Sequence, residues 1–71
     1  MKKGDLVHVN ASALLGEYRL LNERIVANHG WLWTIVRRRS STIGELYTAR
    51  SLATGEHKTW LVEELETVDD E

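Results

Sequence analysis

The sequence contains no cysteine, no proline and no phenylalanine. Without cysteine, disulfides and thiolate zinc sites are excluded, and these are two of the usual supports of a small domain. Without proline there is no stiff linker, and no internal repeat or low-complexity stretch breaks the chain. Without phenylalanine, core bulk has to come from three tryptophans, two tyrosines and the aliphatic residues. Long apolar runs are also missing. The opening MKKGDLV has lysines with no apolar segment behind them, which predicts neither a signal peptide nor a membrane span and makes cytoplasmic placement the expectation. Glycine is scattered singly, at Gly4, Gly16, Gly30, Gly44 and Gly55, as turn residues rather than as a phosphate-binding loop.

The 71 residues predict one domain over 1–68, followed by a frayed acidic end at 69–71. A chain of this size buries only roughly 60% of the surface exposed when unfolded, so its stability is marginal. The net charge of −2 conceals an asymmetry. From Trp60 onward there are six acids (Glu63, Glu64, Glu66, Asp69, Asp70, Glu71) and no Lys or Arg, whereas residues 1–59 carry nine bases and five acids. A basic body with an acidic end is compatible with an interaction surface or with a solvated, self-screening tail.

Lys3-Gly4-Asp5 is a turn signal, and Leu6-Val7-His8-Val9 reads as a short strand with Val7 and Val9 on one face and Leu6 and His8 on the other. Residues 12–28 are ambiguous. Leu14, Tyr18, Leu21 and Ile25 form a helical stripe, with Ser12 able to cap its start and Gly30 near its end. Gly16 and the β-branched Ile25-Val26 oppose one continuous helix, so a turn or two of helix near 12–21 and then a strand over 23–28 is expected. Residues 31–38 follow as a strand, 40–44 as a polar loop, 45–52 as the next strand, and 53–56 as a hairpin turn with Gly55 free to take positive φ. Residues 57–61 return as a strand, 62–65 make one helical turn, and 66–68 form a last short strand.

The densest stretch is GWLWTIVRRR, residues 30–39. Strict alternation puts Trp31, Trp33, Ile35 and Arg37 on one face and Leu32, Thr34, Val36 and Arg38 on the other. Two arrangements stay open. If Leu32 and Val36 point inward, Trp31, Trp33 and Arg37 form an exposed aromatic and cationic stripe. If the odd face points inward, the tryptophans are core. Trp31, beside a turn, is expected to be partly exposed, and Tyr47 and Trp60 pose the same choice on the flanking strands. Strand pairing would gather Arg37, Arg38, Arg39, Arg50 and Lys58 into one basic cluster suited to phosphates, with nearby aromatics suited to stacking single strands. The alternative is that these cations pair with the acidic C-terminal run or are simply solvated.

No arrangement of residues suggests catalysis. His8, His29 and His57 match no metal-ligand spacing, paired carboxylates occur only in the acidic end, and no serine has an evident base. No enzyme activity, metal or cofactor is expected.

The order is strand, long excursion, three meandering strands, one helical turn and a closing strand. With GDLVHV in front and TWLVEELETV behind, it resembles the SH3-like small β-barrels. Such barrels include KOW-type domains of translation and transcription proteins, small subunits of photosynthetic complexes, and phage-encoded small proteins. The resemblance implies an all-β, five-stranded barrel with a short helix in its first long loop. The alternative fold is α+β, with one helix over 12–27 on a small antiparallel sheet. The acidic ALYDY-like stretch of peptide-binding SH3 domains is absent, so polyproline recognition is not implied. The expected function is a non-enzymatic adaptor engaging a larger protein through a rim of Trp31, Trp33, Arg37, Tyr47 and Arg50, since aromatic and arginine side chains dominate interfaces. The alternative, implied by the KOW-type resemblance, is nucleic-acid binding through Arg37, Arg38, Arg39, Arg50 and Lys58.

Overall fold

The computed structural model describes residues 1–68, so the expected fraying of 69–71 lies outside the described residues. Five strands and one α-helix account for most of the chain: β1 Leu6–Val9, α1 Arg19–His29, β2 Leu32–Ser41, β3 Gly44–Ser51, β4 His57–Leu61 and β5 Leu65–Thr67. Short 3-10 turns at Ala11–Leu14 and Val62–Glu64 complete the connections. All strand pairs are antiparallel, in the order β4-β3-β2-β1-β5, and the described sheet is not closed.

The turns follow from local chemistry. Gly4, at φ +92°, brings its N–H to the Ile35 carbonyl at 2.8 Å, and Asp5 Oδ2 accepts from the Lys2 N–H at 2.9 Å. The β2–β3 loop is tighter than expected. The strands run on to Ser41 and Gly44, because Ser41 Oγ accepts from the Ile43 N–H and donates to the Gly44 carbonyl, closing the turn around Thr42 and Ile43.

The sheet coils around a small core of Val7, Val9, Ala13, Trp33, Ile35, Tyr47, Ala49, Trp60 and Leu65. Trp33 lies opposite Ser51 and Trp60 opposite Tyr47. On a flat sheet their Cα atoms would be about 16 Å apart, two strand spacings across and four residues along. Their rings instead meet edge to face at 5.4 Å, because twist and curl turn both side chains toward the concave side. The odd face of β2 is therefore the inner one, and Trp33 is core.

The region 12–28 differs most from expectation. Asn10, not Ser12, caps the first 3-10 turn, its side chain accepting from the Ser12 N–H at 2.8 Å. Residues 23–28 are not a strand; they belong to α1, which starts later than the alternative helix over 12–27 and ends at Gly30, φ +85°, whose N–H returns to the Val26 carbonyl at 2.8 Å. The helix also faces the core with a different stripe: Asn22 is buried, and Ile25, Val26 and His29 are half-buried. Tyr18 and Leu21, members of the expected helical stripe, are each 55% exposed, and Leu20 is 71% exposed.

A polar network explains this rotation. Asn22 Nδ2 donates to the Ala13 carbonyl and to Glu64 Oε2, both at 2.8 Å, while Glu64 Oε1 accepts from the Leu61 N–H at 2.9 Å. The helix, the first 3-10 turn and the turn before β5 are joined through these bonds. Buried polar groups persist when their bonds are made, and here that requirement outweighs burial of Leu21. Glu64 is thus a structural residue rather than part of a solvated acidic tail. At the other end of α1, Ser51 Oγ donates to the His29 carbonyl and accepts from the Ala53 and Thr54 N–H groups, anchoring the helix to the β3–β4 turn.

Candidate functional site

The basic cluster does not assemble as a single patch, and a β-bulge is the reason. Ile35 pairs with Ala49 but Arg37 pairs with Thr48, so Val36 is an extra residue and the alternation of β2 shifts by one after it. Arg38 consequently lies opposite Tyr47 on the inner side, while Arg37 and Arg39 are moved to the outer face. Lys58 lies opposite Ala49, also on the inner side and half-buried. Arg50 lies opposite Thr34 and His57 on the outer face. The described outer face therefore carries Arg37, Arg39 and Arg50 among Thr34, Thr48 and Thr59, and none of these arginines has a carboxylate within 4.0 Å among the described residues.

The expected aromatic rim is corrected as well. Trp33 is 0% exposed, its Nε1 donating to the Gly30 carbonyl at 3.0 Å, and Tyr47 is buried. Neither side chain lies on the surface of the described residues. Trp31 is 46% exposed and shares a shallow hollow with Leu32, Leu52 and Ala53.

Around Tyr47 the geometry is specific. Its Oη donates to Glu45 Oε2 at 2.8 Å, and Arg38 Nη2 lies 3.8 Å from Glu45 Oε1. The bond to Glu45, burial, and the charge of Glu45 all hold the phenol above its ordinary value of 10.0, with Arg38 opposing. Because the folded pKa is raised, the stabilisation is fully present below the unfolded pKa and is lost as pH rises through the folded one. Spectrophotometric alkaline titration in a Tyr18→Phe background is expected to show Tyr47 ionising above the free phenol, and Glu45→Gln is expected to lower that midpoint. A midpoint unmoved by Glu45→Gln would contradict this assignment.

A second surface was not anticipated. Between α1 and β4 runs a mainly apolar groove of about 260 Å³, walled by Tyr18, Leu21 and Ile25 on one side and by Thr59, Trp60 and Leu61 on the other, with Ile43 and Leu46 extending it and the bonded pair Asn22 and Glu64 also lining it. The clue in the sequence was the stripe Tyr18-Leu21-Ile25, which reads as a core face but lines a cleft. Trp60 is 1% exposed, and its indole Nε1 has no acceptor among the described residues.

This groove follows an unpaired strand edge. β4 pairs only with β3 among the described strands. The Ser51 N–H donates to the Glu56 carbonyl at 2.8 Å, which sets the phase of the ladder. In an antiparallel pair the bonding direction alternates, so Lys58 and Trp60 point their backbone groups at β3, and His57, Thr59 and Leu61 point theirs outward. The Leu61 N–H is taken by Glu64. The N–H and C=O groups of His57 and Thr59 remain directed at the open edge.

The histidines have separate surroundings: His8 Nδ1 is 3.5 Å from Glu66 Oε1 without the alignment of a hydrogen bond, His29 Nδ1 is 2.7 Å from Thr54 Oγ1, and His57 is on the β4 edge. Among the described residues, no three His, Cys, Asp or Glu side chains are placed to hold a metal ion, and no helix is long and apolar enough to cross a membrane. No family model, curated protein or solved structure matches the chain.

Proposed function

We propose that this chain is a small non-enzymatic binding module that engages a larger protein by adding an extended segment of that protein to the open edge of β4. The observation that carries this reading is the coincidence of outward backbone groups on His57 and Thr59 with the apolar groove beside them. In strand addition, main-chain hydrogen bonds supply affinity and alternate side-chain pockets supply specificity. The rotation of α1 supports it: Asn22 is inside while Leu21 and Tyr18 face the groove, an apolar exposure that a partner would relieve. The strand order and the excursion between β1 and β2 are compatible with an SH3-like small barrel left open beside β4, which is the fold reading we favour.

A photo-crosslinker replacing Leu21 is expected to form an adduct with a protein in the cells that make this chain. Thr59→Pro is expected to abolish the adduct. Proline at an outward-facing edge position removes a donor that β3 does not use, so the fold should tolerate it. An adduct that persists in Thr59→Pro would contradict edge docking.

The outer-face arginines favour a second reading, binding of nucleic-acid phosphates through Arg37, Arg39 and Arg50. It predicts oligonucleotide affinity that falls steeply with salt, and a shallower salt slope when the three arginines are replaced by alanine. Fluorescence anisotropy with labelled single-stranded DNA, duplex DNA and RNA separates the two readings: traces flat at low salt would remove this one.

A further inference from the structure

We infer that the segment received by β4 is apolar along the groove and acidic at the end that meets His57 and Lys58. This deepens the strand-addition reading and rests on it. The two ends of the β4 edge carry opposite charge. Toward the start of β4 the cations are Lys58 and Arg50, the latter directly opposite His57 in the neighbouring strand, and they outnumber the single carboxylate there, Glu56. Neither Lys58 nor Arg50 has a carboxylate within 4.0 Å among the described residues. Toward the end of β4, beyond Leu61, Glu17 and Glu63 line a hollow with Tyr18 and Leu61. An extended segment lying along this edge meets a net positive end at Lys58 and Arg50, a mainly apolar middle that also includes Asn22 and Glu64, and carboxylates at the other end.

The position of Lys58 sharpens the point. A charge directed inward on an edge strand is a common device against indiscriminate pairing, because an incoming apolar strand would have to desolvate it. Lys58 is such a charge: it lies on the inner side of an edge strand that contains neither a bulge nor a proline. The same lysine becomes favourable when the incoming strand brings a carboxylate to it. It rejects uncharged or basic strands and accepts an acidic one, which combines attraction with exclusion.

The test is selection from a random decapeptide library displayed on phage, against the full chain. Affinities of the recovered peptides are then measured for the wild type, Thr59→Pro, Leu21→Asp and Lys58→Glu. Leu21 is an exposed helix residue, so Leu21→Asp keeps the test valid if Thr59→Pro fails to fold. The expected peptides alternate apolar residues and end in Asp or Glu. Their binding should be lost in Thr59→Pro and Leu21→Asp, and weakened by about tenfold or more in Lys58→Glu, the scale of one well-placed charge pair. Peptides that need Thr59 and Leu21 but carry no acids, and that ignore Lys58→Glu, would overturn the acidic assignment while leaving strand addition standing. Peptides indifferent to Thr59→Pro and Leu21→Asp would overturn strand addition itself. So would an empty selection, or a dimer seen by light scattering that Thr59→Pro dissolves, since the occupant would then be a second copy.

Discussion

Replacing Trp33 by alanine is expected to remove a large share of the chain's folding stability. Trp33 is fully buried, its ring packs edge-on against Trp60 at 5.4 Å and against His29 at 6.2 Å, and its Nε1 is bonded to the Gly30 carbonyl. Truncating a buried tryptophan costs about 3–5 kcal/mol, through lost transfer energy and the cavity that remains. A domain of this length has a total stability of roughly 4–11 kcal/mol, at 0.05–0.15 kcal/mol per residue. The core contains few other large side chains, and no disulfide supplements it. Urea titration followed by near-ultraviolet circular dichroism should show the midpoint reduced by about a quarter or more, or the folded baseline lost. A midpoint shift worth less than about 1 kcal/mol would mean that Trp33 is not the centre of the core.

The second large effect is expected at Glu64. Glu64→Ala removes one of the two acceptors of Asn22 Nδ2 and the acceptor of the Leu61 N–H. Leaving buried donors unsatisfied costs about 1–3 kcal/mol each, so the variant should lose roughly 2–4 kcal/mol once partial rescue by water is allowed. Glu64→Gln, which keeps one acceptor oxygen, should lose less. The more telling companion is Asn22→Leu. A count of buried apolar area would predict stabilisation, because leucine completes the helical stripe. The network predicts destabilisation, because the Ala13 carbonyl and Glu64 Oε2 both lose their donor. Chemical denaturation of the three variants side by side decides between the two accounts, and a more stable Asn22→Leu would contradict the network.

The parts of the fold that were legible in the sequence are those determined locally. Each of the five strands was read close to its place, the last one residue late, and the positive φ expected of Gly55 is found. The helical turn before β5 was visible in Val62-Glu63-Glu64. The parts that were not legible depend on long-range pairing. Asn22 reads as a solvent-facing residue until Glu64, 42 positions away, supplies its partner. That one contact turns α1 and converts an apparent core stripe into the wall of a groove. Likewise, nothing in GWLWTIVRRR announces the bulge at Val36, because a bulge is a property of two strands in register and not of either alone. Period-two reasoning therefore succeeded up to Ile35 and failed at Arg37, which is where the expected basic patch divides between two faces. The strand edge was invisible for the same reason: which strand ends the sheet is decided by the order β4-β3-β2-β1-β5, not by the composition of any one strand.

Edge docking requires that the edge be open in the free protein, and amide hydrogen exchange reads this residue by residue. In the isolated chain, the N–H groups of Lys58 and Trp60 are expected to exchange slowly because they bond to β3, while those of His57 and Thr59 exchange at the rate of solvent-exposed amides. The Leu61 N–H should be protected through Glu64, and should lose that protection in Glu64→Ala. This slow-fast alternation along β4 is the result the account predicts. Protection at Thr59 equal to that at Trp60, in a monomer with no partner present, would show the edge already covered and would contradict it.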